Sequence, residues 1–141
     1  MILEPYFDKP YWVIDVLPEQ VFENSPGQYF AIEEYMLQPA NQSALRRRFA
    51  DLLLKLNCYH GFYVYPSNEE DCGQNPTPDS LVSLVCSAQV DLCIVLSDAD
   101  AMITLNRDDT YMTVYNPRKR LCKLIERLSF SEGLFLRKPV R

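Results

Sequence analysis

Apolar residues recur along this chain with two periods, near two and near 3.6, and each marks a type of element. Tyr11-Trp12-Val13-Ile14-Asp15-Val16-Leu17 is rich in β-formers and stops at Pro18, which predicts a first strand. Residues 18–27, with Pro18, Asn24, Ser25, Pro26 and Gly27, read as a loop whose Pro26-Gly27 turn leads into a second strand over 28–37. A β-hairpin with a long connection is the simplest pairing of these two strands. Pro39 ends the second, and Asn41 or Ser43 stands where a side chain caps the helix that follows.

In that helix Leu45, Phe49, Leu52, Leu53 and Leu56 form one stripe, while Arg46, Arg47, Asp51 and Lys55 are expected to face water. Arg47 to Asp51 and Asp51 to Lys55 are spaced for ion pairs. Burying the stripe, at about 1.5–3 kcal/mol per large aliphatic, outweighs pairs contributing about 0.3–0.5 kcal/mol each. The helix is expected to run out near His60, with Gly61 free to take the left-handed conformation.

A short strand over 62–65 follows, then a polar stretch over 66–78 that reads as the least ordered part of the chain. Thr77-Pro78-Asp79-Ser80 has the order of N-cap, first-turn proline and first-turn acid, and opens a helix with Leu81, Leu84 and Val85 inside. Leu92-Cys93-Ile94-Val95-Leu96 is apolar on both phases, as in a central strand covered on both faces. Strands over 101–105 and 110–115 are joined at Asn106-Arg107-Asp108-Asp109. Asn116-Pro117 starts a last helix with stripe Leu121, Leu124, Ile125 and Leu128, Gly133 closes it, and 134–136 is the final strand.

The order ββαβαβββαβ predicts a single α+β domain over 1–141, with a largely antiparallel mixed sheet carrying helices mainly on one face. In the expected strands the tyrosines fall on one phase of the pleat. Phe30, Ile32, Met36, Phe62, Val64, Met112 and Val114 point one way, and Tyr29, Tyr35, Tyr63, Tyr65, Tyr111 and Tyr115 the other. That arrangement gives one aliphatic sheet face and one tyrosine-lined face. Tyrosine is enriched at interfaces, and six such rings only one-third exposed offer roughly 300–500 Å² of semi-apolar surface.

Composition narrows the function more by exclusion than by indication. With 48% hydrophobic and 23% charged residues the chain has the balance of a folded domain. Residues 1–8 show no basic stretch followed by an apolar one, and no apolar run reaches the roughly 20 residues of a membrane span, so a cytoplasmic chain without a membrane segment is expected. Cys58, Cys72, Cys86, Cys93 and Cys122 are odd in number and scattered, which favours reduced thiols over a disulfide framework, with Cys72 the one in a polar loop.

Charge is uneven. Residues 117–141 carry eight Lys or Arg against Glu126 and Glu132, a balance of +6, which leaves −11 for the rest of a chain whose net charge is −5. The acidic body disfavours nucleic acid, while Arg118, Lys119 and Arg120 at the start of the last helix form a candidate anion site.

Four glycines leave no Gly-rich phosphate loop and no nucleophile elbow. One histidine, His60, excludes histidine-pair chemistry, and its spacing from Cys58 places the two on different helix faces, so its ordinary role is at the helix C-terminus. Asp98 and Asp100 with Asp108 and Asp109 meet a divalent cation only if their turns share one end of the sheet; turn formation explains them as well. Glu33 lies on the tyrosine phase, and an acid beside it in a cleft would open a hydrolase reading. No catalytic residue, metal ligand or cofactor is assigned.

The expected function is therefore that of a non-catalytic interaction protein, using its tyrosine-lined face for a protein partner or a homodimer. The alternative is a small-ligand-binding protein or enzyme with a pocket between the sheet and loop 66–78.

Overall fold

A computed structural model of the protein describes residues 3–69 and 73–139. A 3-10 turn, Glu4–Asp8, precedes β1 (Tyr11–Asp15), α1 (Tyr29–Met36), α2 (Pro39–Asn57), β2 (Tyr63–Pro66), β3 (Gly73–Gln74) and α3 (Pro78–Ser87). Then come β4 (Leu92–Leu96), a second 3-10 turn (Ser97–Ala99), β5 (Ala101–Leu105), β6 (Met112–Tyr115), α4 (Lys119–Ser131) and β7 (Phe135–Arg137). The strands form one open sheet in the order β3-β2-β4-β5-β6-β1-β7, with every neighbouring pair antiparallel. The α+β class is as expected, and the sheet is antiparallel throughout rather than mixed.

One expected strand is a helix. Residues 28–37 alternate well enough to suggest a strand, yet Tyr29–Met36 is α1. Tyr29, Ile32, Glu33 and Met36, at spacings of three and four, turn toward one cleft, and the Tyr29 hydroxyl donates to Glu33 Oε2 at 3.1 Å across one helical turn. Ala31, Glu33, Glu34 and Met36 are good helix formers, so over eight residues the competing period wins. The first hairpin is lost with that strand, and β1 pairs instead with β6 and β7 from the other end of the chain. α1 itself buries no residue.

The core lies on one side of the sheet. Ile14, Val64, Leu92, Ile94, Leu96, Ala101, Ile103, Leu105, Met112 and Val114 point to it, and α2, α3 and α4 cover them with Leu45, Phe49, Leu52, Leu53 and Leu56, Leu81 and Val85, and Leu121 and Ile125. Register supports this directly, since Val64, Ile94, Ile103 and Val114 stand opposite one another across four strands.

Helix ends differ from expectation in detail. Gln38 occupies the N-cap of α2 and Pro39 its first turn, without the side-chain cap expected of Asn41 or Ser43. Thr77 does cap α3, its Oγ1 accepting from Ser80 N at 3.3 Å. Asn116 does not cap α4. It has φ 62° and its Nδ2 donates to Asp100 O at 2.7 Å, and Arg118 takes the N-cap instead. Gly133, at φ +72°, closes α4 as expected, with Leu134 N donating to Ser129 O at 2.8 Å. Gly61 has no positive φ.

Arg46, expected in solvent, is buried at 1% exposure. Its Nη1 donates to Val85 O at 3.2 Å, a carbonyl that the last turn of α3 leaves without a helical partner, and its Nη2 donates to Asn106 O at 2.7 Å. The side chain thus ties α2, α3 and the β5–β6 hairpin together, and burial lowers its pKa. The Arg47–Asp51 pair forms at 3.0 Å, whereas Lys55 turns away from Asp51 to meet Glu132 at 2.6 Å.

Candidate functional site

Opposite the core, register assembles a second surface. Residues directly across from one another share a face, so Tyr63, Val95, Met102, Tyr115 and Tyr11 make one row over five strands. Tyr65, Cys93, Thr104, Thr113, Val13 and Arg137 make the next. Asp15 and Phe135 face each other at the end of the same face.

The middle of the first row, Val95 and Met102, is fully buried although α2, α3 and α4 lie on the other side. Tyr63 and Tyr115 flank it and are themselves half-buried. Tyr115 meets Phe7 of the N-terminal 3-10 turn edge-on at 5.2 Å and lies 5.8 Å from Tyr11. Phe7 and Tyr11 are 50% and 43% exposed, so the aromatic rim extends to the edge of the face.

Of the six expected tyrosines, then, Tyr63, Tyr65 and Tyr115 share the face opposite α2, α3 and α4, and Tyr111 directly precedes β6 on the same phase. Tyr29 and Tyr35 belong to α1 and drop out of the row. Tyr11, Phe7, Val95 and Met102 were not expected there. Only strand pairing reveals Tyr11, because nothing local aligns it with Tyr115, 104 residues away.

Beyond the Asp15 end of this face, α1 forms a cleft of about 200 Å³ whose walls include Asp15, Thr110, Tyr29 and Glu33. Asp15 is held by Arg137 Nη2 at 2.9 Å and by Val16 N at 2.7 Å. Burial first, then the hydrogen bond to Glu33, pushes the Tyr29 hydroxyl up to about 12. Tyr111 is raised too, chiefly by burial, with Asp109, Tyr115, Asp15 and Glu33 adding to it. Glu33 thus has a second carboxylate in its cleft, which the sequence alone did not identify.

A different cleft, of about 530 Å³, opens between α4 and the ends of α2 and β4. Arg118, Arg120, Lys123 and Arg127 line it together with Tyr59 and the His60–Asp98 pair, whose Nδ1 and Oδ2 are 3.0 Å apart. Two of the three expected anion-site residues are thereby brought into one cleft, and Lys119 is not part of its lining. The turn holding Asp98 and Asp100 lies at the opposite end of β5 from Asp108 and Asp109, so these four acids do not converge. Among the described residues no three His, Cys, Asp or Glu side chains are grouped to hold a metal ion. Among them, too, no helix is long and apolar enough to cross a membrane.

Cys58 is exposed, while Cys86, Cys93 and Cys122 are partly buried and their thiols are raised chiefly by that burial. Cys72 lies outside the described residues, as do Glu70 and Asp71. Compared with known proteins, the chain matches no family model, no curated protein and no solved structure.

Proposed function

We propose that this chain is a non-catalytic interaction protein whose tyrosine-lined sheet face packs against the same face of a second copy. The observation that carries the reading is the first row itself: the partly exposed rings of Tyr63, Tyr115 and Tyr11 stand in register around Val95 and Met102, which are already buried within one copy. Partly exposed tyrosines gathered on one sheet face are the side chains enriched at protein interfaces. A two-fold axis between the copies makes each use this same patch, so tyrosines of one copy meet the tyrosine-lined face of the other in an isologous contact. Arg137 on this face is neutralised by Asp15, so two copies of a chain of net charge −5 meet there without opposing charges.

The half-buried rings, with Phe7 and Tyr11, offer about 300–500 Å² per copy, so a pair buries roughly 600–1,000 Å², the range of weak or transient contacts. A dissociation constant above about 1 µM follows. A reducing, cytoplasmic setting belongs to the same reading and is supported by the unpaired state of Cys58, Cys86, Cys93 and Cys122.

Sedimentation velocity over a concentration series tests it. Wild-type protein is expected to move from monomer to dimer, and Tyr63→Ser with Tyr115→Ser to remain monomeric with unchanged circular dichroism. A wild type that stays monomeric to millimolar concentration, or a double variant that still dimerises, contradicts the proposal; in the first case a different protein would be the occupant.

A small-ligand reading draws on one specific observation, the joint presence of Asp15 and Glu33 in the cleft under α1 rather than beside loop 66–78. Its volume of about 200 Å³ is below the roughly 300–1,000 Å³ typical of ligand pockets. A thermal-shift screen with small metabolites, repeated on Glu33→Gln, separates this reading from the first.

A further inference from the structure

From observations separate from the tyrosine face, we infer that the cleft between α4 and the end of α2 binds a free nucleotide carrying two or more phosphates. Four cations line it, Arg118, Arg120, Lys123 and Arg127, and among the described residues none of their side chains has a hydrogen bond or an ion pair. The one carboxylate in the lining, Asp98, is already engaged by His60 at 3.0 Å. Four cations against one carboxylate thus leave a concave site with an excess of positive charge, on a chain whose other residues are strongly acidic. Water screens this repulsion only in part, and a polyanion relieves it.

Three of the four cations are arginines, whose planar fork matches phosphate oxygens in pairs. Arg120, Lys123 and Arg127 follow one another at helical spacings of three and four on one face, so their long side chains reach toward a single ligand in the cleft. Lys123 lies between the two arginines as a point charge.

The aromatic part of the ligand is argued from Tyr59. This ring is 64% exposed, lines the same cleft, and offers a face on which a base stacks. A cleft of about 530 Å³ falls within the roughly 300–1,000 Å³ of small-molecule sites. Neither a glycine-rich loop nor a metal ion is needed for recognition of this kind, because side-chain cations hold the phosphates.

Isothermal titration at low salt, without added metal, with adenosine diphosphate, inorganic tripolyphosphate, adenosine and a single-stranded oligothymidylate tests the inference. Adenosine diphosphate is expected to bind one to one, tripolyphosphate to bind, and adenosine to show no heat. Arg120→Gln with Arg127→Gln should weaken both phosphate ligands at least tenfold. Tyr59→Ala should weaken adenosine diphosphate several-fold while leaving tripolyphosphate unchanged. Lys119→Gln removes a neighbouring cation that does not line the cleft and should change nothing. All these side chains are exposed, so the variants are expected to keep the wild-type melting temperature.

The inference is overturned if neither phosphate compound binds at millimolar concentration, or if Lys119→Gln weakens binding as much as the paired arginine variant. It is equally overturned if Tyr59→Ala leaves adenosine diphosphate unaffected, or if only the oligonucleotide binds. None of these outcomes bears on dimerisation through Tyr63 and Tyr115, which is read by sedimentation.

Discussion

Met102 and Ile103 are adjacent on β5, both fully buried, and point to opposite faces of the sheet. Truncating each to alanine therefore compares the two faces at neighbouring positions of one strand. Ile103 stands in register with Ile94 and Val114 beneath the helical layer, where the surroundings collapse little around a lost side chain. Ile103→Ala should cost about 4 kcal/mol, in the upper half of the range for such deletions. Met102 is flanked by Tyr115 and Val95, with Tyr63 one strand further, and these half-buried rings have room to close over the gap. Met102→Ala should cost about 2 kcal/mol, at the lower limit of the same range. Urea unfolding followed by circular dichroism measures both, and an unchanged slope shows that the difference is one of stability rather than of denatured-state compactness. An equal or larger loss for Met102→Ala would mean that the rings around Met102 pack as rigidly as the helical layer packs over Ile103, and the argument that they are partly free to meet a partner would fail.

Arg46→Ala should destabilise the fold by about 3 kcal/mol or more, since it strips the buried carbonyl of Val85 and the part-buried carbonyl of Asn106 of their donor and opens a cavity; a loss under 1 kcal/mol would refute the clamp between α2, α3 and the β5–β6 hairpin. Raised tyrosine values predict alkaline sensitivity. Tyr29, at about 12 against 10.0 when free, and Tyr6, Tyr111 and Tyr115, raised in the same direction, stabilise the fold fully below pH 10 and lose that contribution as pH climbs through their folded values. Melting temperature should accordingly fall between pH 10 and 12 in step with the late part of the tyrosinate absorbance; titration of all nine tyrosines in one early step would contradict it. Site-resolved alkylation should label Cys58 quickly and Cys86, Cys93 and Cys122 slowly, and rapid labelling of Cys93 would show that its burial on the tyrosine face is not maintained.

The fold was legible where one period dominated and an end signal agreed with it. The stripe from Leu45 to Leu56 lies in α2, Thr77-Pro78 starts α3, Gly133 ends α4, and the two-phase apolar run of β4 is buried on both sides. Residues 28–37 misled because eight residues fit alternation and helical spacing almost equally, and the deciding contacts, Tyr29 with Glu33 and the cleft beside Asp15, are tertiary or span one turn. The solvent-side placement of Arg46 failed for a related reason. Its carbonyl partners lie 39 and 60 residues away, and no local pattern announces them.

Half of the candidate surface was readable as pleat phase, namely Tyr63, Tyr65, Tyr111 and Tyr115. Its extension to Tyr11 and Phe7 depends on β1 inserting between β6 and β7, a pairing set by burial of Ile14 and Leu136 rather than by any turn. The clustering of Arg118 and Arg120 with Tyr59 and His60 likewise depends on how α4 crosses the end of α2.

Met102 and Met112 supply the most direct test of the two-faced sheet, since one lies on the tyrosine face and the other in the helix-covered core. Carbon-13 labelling of the methionine methyl groups, followed by NMR through a dilution series, reads both at once. The account predicts that the Met102 methyl shifts with concentration, with the same midpoint as dimer dissociation, while Met112 stays fixed. A stationary Met102 methyl in protein that sedimentation shows to be dimeric would place the contact elsewhere and contradict the account.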